Sequence, residues 1–469
     1  MPLDQASKRL APQFQRLEGS MIKTIAARAT PASISLAGGI PHESTFVFRG
    51  VAWDMADGST ITLKNRTLTG GTQAEDGAAD LPLNYMQGTG MPELREELMS
   101  HMRRYHTPAY DDWAVIPTTG STDALTKCFQ LFMPPPGKKP IILAEALVWA
   151  AVLAIAAPLG YEVRGLELDS DGMLPSALDA ACLQLVKEGE QAAFLYLTPH
   201  GQNPTGTSLS TERKQALYAL AQKHDLLIVE DDPYRLLFLP VDPEEVAQSA
   251  MPGLEGLPKS LLSLDVDGRV IHLESLSKWV CPGLRLGWLT GPKGFVEGAY
   301  RKWNELTIQF PCTVSQSVFC SLLKQWGHDG LDAHLKQLQA HYARQRRSMH
   351  HAAEKHLRGL ATWDLPKAGM FVLFKVAALK GKGKAEAEAV LEGLLAEDVL
   401  MVPGYAFDPS PGKDAEPAFR ATFATASPEK IEEGMARFGR ALARLTEAMA
   451  TAKKREREEG EDEVAAVMA

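Results

Sequence analysis

Between about residues 113 and 290 the chain alternates short apolar runs with segments of helical periodicity, and this pattern limits the fold most. The runs AAFLYLT (192–198), DLLIVE (225–230), RVIHLES (269–275) and LRLGWLT (284–290) are largely continuous rather than alternating. Strands buried on both faces read this way and belong to parallel sheets covered by helices. Between the first two runs, Ser210 stands at an N-cap position, and Ala216, Leu217, Leu220 and Ala221 share one helical face. Residues 239–268 contain Pro and Gly and are predicted as a surface excursion. In such a sheet, polar side chains just beyond the strand C-termini form the ligand site.

The flanks differ. Residues 1–95 are loop-rich, with turn-dense LAGGIP (36–41) and NYMQGTGMPEL (84–94). A long helical pattern around 328–358 precedes strand candidates AGMFVLF (368–374) and FRATFAT (419–425), which predicts a smaller α+β domain. The ending KKREREEGEDEVAAVMA is a mixed-charge tail, expected to fray or stay disordered. A length of 469 residues allows two or three domains. The expected divisions are 1–95, a large domain over 96–330, a small one over 331–445, and the tail over 446–469.

Composition removes several classes of function. With 45% hydrophobic and 23% charged residues, disorder and collagen-like repeats are excluded. The net charge is −9 and no basic stripe is present, which argues against nucleic-acid binding. Five cysteines without a C-x-x-C pair fit a reduced intracellular compartment better than a disulfide framework. The apolar stretch 141–160 contains Glu145 and Pro158, so it reads as strand IILAE followed by a helix, not a membrane span. Basic residues near the N-terminus faintly resemble a transit peptide but lack an apolar signal core. The expectation is therefore the cytoplasm, with the mitochondrion as the alternative.

Polar residues fall where the ligand site belongs. Asn203 follows the first run, in PHGQNPTG (199–206). Asp231 ends the second, in EDDPY (230–234), with Tyr234 three residues on. Ser275, Ser277 and Lys278 end the third, in ESLSKWVCPGLRLGW (274–288), and Arg285 follows the lysine by seven residues. Upstream, TTGSTDAL (118–125) is a glycine turn opening a helix, where Ser121 and Thr122 can hold an anion.

Each of these alone has a plain structural reading. Asn203-Pro204-Thr205-Gly206 suits a β-turn, Asp231 a helix cap, Lys278 a solvated surface, and Arg285 half of an ion pair. Their order on successive strand ends makes the functional reading the stronger one. The histidines His101/His106 and His350/His351/His356 match no ligand pattern such as H-E-x-x-H. They read as surface or core residues, and no metal is expected.

These motifs, with SLAGGIP, NYMQGTGMPELR and FRATFATASPE, resemble the pyridoxal-phosphate (PLP) aminotransferases of class I/II over residues 30 to 445. Within that class the chain is most similar to fungal aromatic-amino-acid and 2-aminoadipate/kynurenine aminotransferases. The resemblance implies an α/β, fold-type I transferase. Its large domain has a mostly parallel seven-stranded sheet flanked by helices, and its small domain is α+β. It implies Lys278 as the amine joined to the cofactor aldehyde, later carrying the proton from Cα. Asp231 would pair with the pyridinium nitrogen, Asn203 and Tyr234 with the ring 3-oxygen, and Trp149 would stack on the ring. Ser121, Thr122, Ser275, Ser277 and Arg285 would hold the phosphate. Arg420 and Asn203 would bind the substrate α-carboxylate, and Gly39 lies in a segment that covers the substrate. Tyr85 would reach the phosphate of a neighbouring subunit, so a homodimer with shared sites is implied. Trp149 departs from the family, which more often has tyrosine or phenylalanine there.

The implied reaction passes an amine from an aromatic, kynurenine-like or 2-aminoadipate substrate to a 2-oxo acid, 2-oxoglutarate being the usual acceptor. A β-lyase or decarboxylase on the same scaffold is the alternative, because loss of the Cα proton begins a β-lyase reaction too. A regulatory fusion to a DNA-binding module needs a helix-turn-helix ahead of the PLP part, and about 30 residues leave no room for it. Neither a nucleic-acid nor a membrane partner is expected.

Overall fold

A computed structural model describes residues 4–19, 21, 45–65, 79–239, 256–379, 383–410 and 417–468, with side chains little covered beyond 447. Strands β1 (Gly50–Asp54), β2 (Thr60–Lys64) and β3 (Ala79–Asp80) form a small sheet near the N-terminus. The main sheet contains β4 (Trp113–Thr118), β5 (Ile141–Glu145) and β6 (Glu162–Leu166). After a short hairpin of β7 (Leu168–Asp169) and β8 (Gly172–Met173), it continues with β9 (Phe194–Leu197), β10 (Ile228–Asp231), β11 (Val270–Ser275) and β12 (Gly287–Pro292). The order across its seven strands is β4-β12-β11-β10-β9-β5-β6.

Six of these strands run parallel to one another, and β12 runs against both neighbours. LRLGWLT is thus a strand, but not a parallel one. Only residues 276–286, with turns Leu276–Lys278 and Pro282–Leu284, connect it to β11. A parallel connection needs a crossover of a dozen or more residues. The short link forces the chain back on itself.

Helices cover both faces of the sheet, as uninterrupted apolar strands require. Ile228 and Val270 belong to the core on one face, and Val229, Ile271 and Leu273 to the core on the other. The helix Thr211–Lys223 is capped by Ser210, whose side chain accepts from Arg213 N, and it buries Leu217 and Ala221. The segment 256–268, expected on the surface, is partly drawn into the core: Ser260, Leu261, Leu262 and Asp265 are fully buried. The Glu230 carboxylate accepts from Leu261 N (2.7 Å) and Leu262 N (3.1 Å), which draws this segment inward. Most of the remaining excursion, 240–255, lies outside the described residues.

A second, antiparallel sheet has the order β13 (Ala361–Thr362), β14 (Phe371–Val376), β16 (Ala418–Thr422), β15 (Val402–Pro403). The long helix Thr313–Leu357 is broken at Gly327, whose φ of 59° is non-helical, and its later part packs on the helix Pro428–Met468. The charged tail continues the backbone of that last helix. No helix among the described residues is long and apolar enough to cross a membrane.

Candidate active site

A cavity of about 340 Å³ lies at the C-terminal ends of β9, β10 and β11, with β14 and β16 of the second sheet contributing Phe371 and Arg420 to its wall. Eleven of the sequence-predicted cofactor and substrate residues meet there. Asp231 ends β10, Tyr234 follows it, and Asn203 lies in the loop after β9. Ser275 ends β11, and Ser277 and Lys278 lie in the turn that follows. Ser121 and Thr122 open the helix Ser121–Leu131, while Trp149 precedes the helix Ala150–Ala156. Arg285 and Arg420 complete the set of predicted cations. Tyr85 is not on this wall: it is 62% exposed, its ring edge-on to Phe310 at 6.1 Å. Gly39 lies outside the described residues.

One end of the cavity is built for an anion. No side chain caps the helix at Gly120, so the first-turn N–H groups remain available. Gly120 has φ +83°, and a Cβ there would stand 2.7 Å from Arg285 Nη2. Only glycine allows the turn and the guanidinium to approach so closely. Arg285 Nη1 reaches Ser277 Oγ at 3.3 Å, and Ser275 Oγ donates to Ser277 Oγ at 2.9 Å. A helix N-terminus, hydroxyls and a forked cation are the donor set that a phosphate dianion needs.

The middle of the cavity carries a carboxylate and an amine. Burial pushes Asp231 up to about 6, against the lowering effect of a Tyr196 hydrogen bond and nearby cations. Its Oδ1 is buried and has no partner, while Oδ2 accepts from Tyr196. An orphaned anionic oxygen on a cavity wall suits a protonated ring nitrogen. Burial also lowers the Lys278 amine, with Arg420 and Arg285 adding to the effect and Asp231 opposing it. At the far end, Arg420 Nη1 donates to Asn203 Oδ1 at 2.9 Å. Its guanidinium lies 4.4 Å from the Phe371 ring centroid and 5.0 Å from that of Phe407.

Sequence reasoning missed Tyr196, Thr198 and Phe371 on this wall. A signal existed for the first: a phenol inside the buried run FLYL requires a partner for its hydroxyl. Phe371 has no such mark, since it reads as one more apolar strand residue.

Behind β10 and β11, on the opposite sheet face from Asp231, lies a buried ionic layer. Glu230 and His272 are register partners, and the imidazole Nδ1 stands 2.9 Å from Glu230 Oε2. His101 and His106 each stand 3.1 Å from the Glu274 carboxylate, so both are core histidines. Asp232 meets His200 at 2.8 Å, and Lys214 meets His200 at 2.7 Å. Burial opposes a charge on His272, but Glu230 and Glu274 outweigh it and raise the imidazole to about 10. The imidazolium, Lys214 and Arg235 together balance the three carboxylates Glu230, Asp232 and Glu274.

An anion cradle, an orphaned carboxylate oxygen and a lysine around one cavity define a pyridoxal-phosphate site. Residues 63–438 match the aminotransferase class I and II family, to which the chain belongs, and its cofactor is pyridoxal 5'-phosphate. The chain is 34% identical to the mitochondrial kynurenine/alpha-aminoadipate aminotransferase of Mus musculus, over 89% of this chain and 93% of that one. It is 31% identical to an aromatic amino acid aminotransferase of Schizosaccharomyces pombe, over 93% and 96% of the two chains. The crystal structure of aminotransferase Aro8 from Candida albicans superposes with a TM-score of 0.83 at 28% identity, covering 94% of this chain and 98% of that one.

Proposed function

We propose that the protein transfers the amino group of an aromatic, kynurenine-type or 2-aminoadipate L-amino acid to a 2-oxo acid, with 2-oxoglutarate as acceptor. The observation that carries this reading is the convergence of Lys278, Asp231, the anion cradle and Arg420 on one cavity. The substrate classes follow the names of the mouse and fission-yeast relatives. Phe371, on the cavity wall beside Arg420, adds an apolar surface suited to an aromatic side chain.

Bound pyridoxal phosphate supplies an electron sink that weakens the Cα–H bond of an amino acid. Around it, Ser121, Thr122, Ser275, Ser277 and Arg285 would hold the phosphate. Asp231 would keep the ring nitrogen protonated, Asn203 and Tyr234 would bind the ring oxygen, and Trp149 would lie against the ring. Lys278 would be the amine that anchors the cofactor and would carry the proton taken from Cα. Its lowered pKa supports that role, because a general base must lose its proton near working pH. Arg420 and Asn203 orient the α-carboxylate, and Gly39 belongs to the covering segment.

The assembly we assign is a homodimer in which Tyr85 of each subunit reaches the other's phosphate. Its outward exposure supports this. Five free thiols suit a reducing compartment, and we assign the cytoplasm.

The substrate reading is tested by single-turnover mixing of holoenzyme with individual amino acids, reading the 2-oxo acid formed. Aromatic amino acids, kynurenine or 2-aminoadipate are expected to react fastest. A donor outside these classes reacting tenfold faster than all of them would replace the assignment.

A further inference from the structure

Asp231 presents one occupied and one free carboxylate oxygen, and a single side chain makes the difference. On β9, Tyr196 is in register with Val229 of β10. Strand alternation therefore turns Tyr196 and Asp231 to the same face of the sheet. The buried phenol donates to Asp231 Oδ2 at 2.7 Å. Oδ1 accepts nothing and belongs to a residue on the cavity wall. Thr198, two residues further along that face, donates its hydroxyl to the Tyr196 oxygen at 3.4 Å.

We propose that Tyr196 is a positioning residue for transamination: its hydroxyl, backed by Thr198, fixes the Asp231 carboxylate so that Oδ1 stays the anionic acceptor for the cofactor's ring nitrogen. This rests on the assignment of Asp231 as the ring partner. A carboxylate held by one donor has one rotamer and a stabilised charge; without it, both the orientation and the anion are lost more easily. The other titratable groups that act electrostatically on Asp231 are Lys278, Tyr234 and Cys128, and, from the opposite face of the sheet, Asp232 and His272. Of them all, Tyr196 gives the largest influence opposing the effect of burial on Asp231. Burial, with Asp231 as its neighbour, holds the phenol well above its ordinary pKa, so it remains a donor.

The test is the pH dependence of PLP affinity of the full-length chain, followed by absorbance, for the native protein, Tyr196→Phe, Asp231→Asn and the double variant. Tyr196→Phe should bind PLP about tenfold more weakly at neutral pH, and its acid limb should move up by about one pH unit. The double variant should bind no more weakly than Asp231→Asn alone, because Tyr196 acts through Asp231. A Tyr196→Phe profile superimposable on the native one, with Asp231→Asn impaired, overturns the inference and leaves the Asp231 reading intact. Native affinity in Asp231→Asn overturns the Asp231 reading itself. Should Tyr196→Phe not fold, Thr198→Val decides: a smaller upward shift of the limb supports the proposal, and an unmoved limb overturns it.

Discussion

Arg420 Nη1 donates to Asn203 Oδ1 at 2.9 Å, although 217 residues separate the two in sequence. The bond ties β16 of the second sheet to the loop after β9, where the main sheet opens. It also orients the guanidinium between Phe371 and Phe407, in surroundings where a carboxylate partner is worth more than in water. Arg420→Lys retains a charge but not the fork. KM for both the amino acid and the oxo acid should rise by roughly 30-fold, in line with the loss of about 2 kcal/mol of charged hydrogen bonding. PLP affinity should hold steady. Steady-state kinetics with each substrate varied in turn checks this; unchanged KM values would remove Arg420 from the substrate site.

Asp231 should cost the cofactor-free fold stability while serving function. Its pKa rises from 3.8 to about 6 through burial, so the folded chain holds this proton more tightly than the unfolded one. The penalty is absent below the unfolded value, grows as pH climbs from 3.8 to about 6, and is constant above. At most it reaches about 3 kcal/mol. Asp231→Asn should therefore raise the melting temperature of the cofactor-free chain at pH 8, and by less at pH 5, while weakening PLP binding. Melting curves at both pH values decide the matter; a lower melting temperature at pH 8 would contradict it.

Most of the large sheet and most of the polar cavity wall are legible in the sequence. All seven predicted runs form strands, because an apolar segment of that length bounded by turn residues has few other uses. The polar residues at their ends are too costly to bury without a shared ligand. What escaped reading depended on connection and context. The reversal of β12 follows from a link too short for a crossover, a constraint that strand composition does not register. Leu261 and Leu262 are drawn inward by Glu230, a partner 31 and 32 residues away. Phe371 enters the site only because β14 and β16 pair, and local pattern cannot show that.

Gly120 is the position where backbone freedom matters most to the cradle. Alanine at φ +83° is strained, and its Cβ would crowd Arg285 Nη2. Gly120→Ala should weaken PLP affinity by roughly tenfold without moving the pH profile, since it leaves the Asp231 end untouched. Equilibrium titration with PLP measures this, and native affinity would mean that the phosphate lies elsewhere.

Sharing of sites between subunits can be tested by complementation. Lys278→Ala should be essentially inactive, and Tyr85→Ala should bind PLP poorly. A hybrid dimer of the two has one site with a native Lys278 and the partner's native Tyr85. Mixing the variants under subunit exchange should restore up to half the native activity per hybrid. Activity that stays at the sum of the separate variants would place Tyr85 outside any shared site.

The most direct measurement follows the nitrogen itself. Holoenzyme is given a ¹⁵N-labelled aromatic donor with 2-oxoglutarate, and both nitrogen products are quantified. The expected result is label in glutamate in equal amount to the 2-oxo acid released, with the transfer lost in Lys278→Ala. Label recovered as free ammonia, with no labelled glutamate, would contradict transamination and assign the site to lyase chemistry.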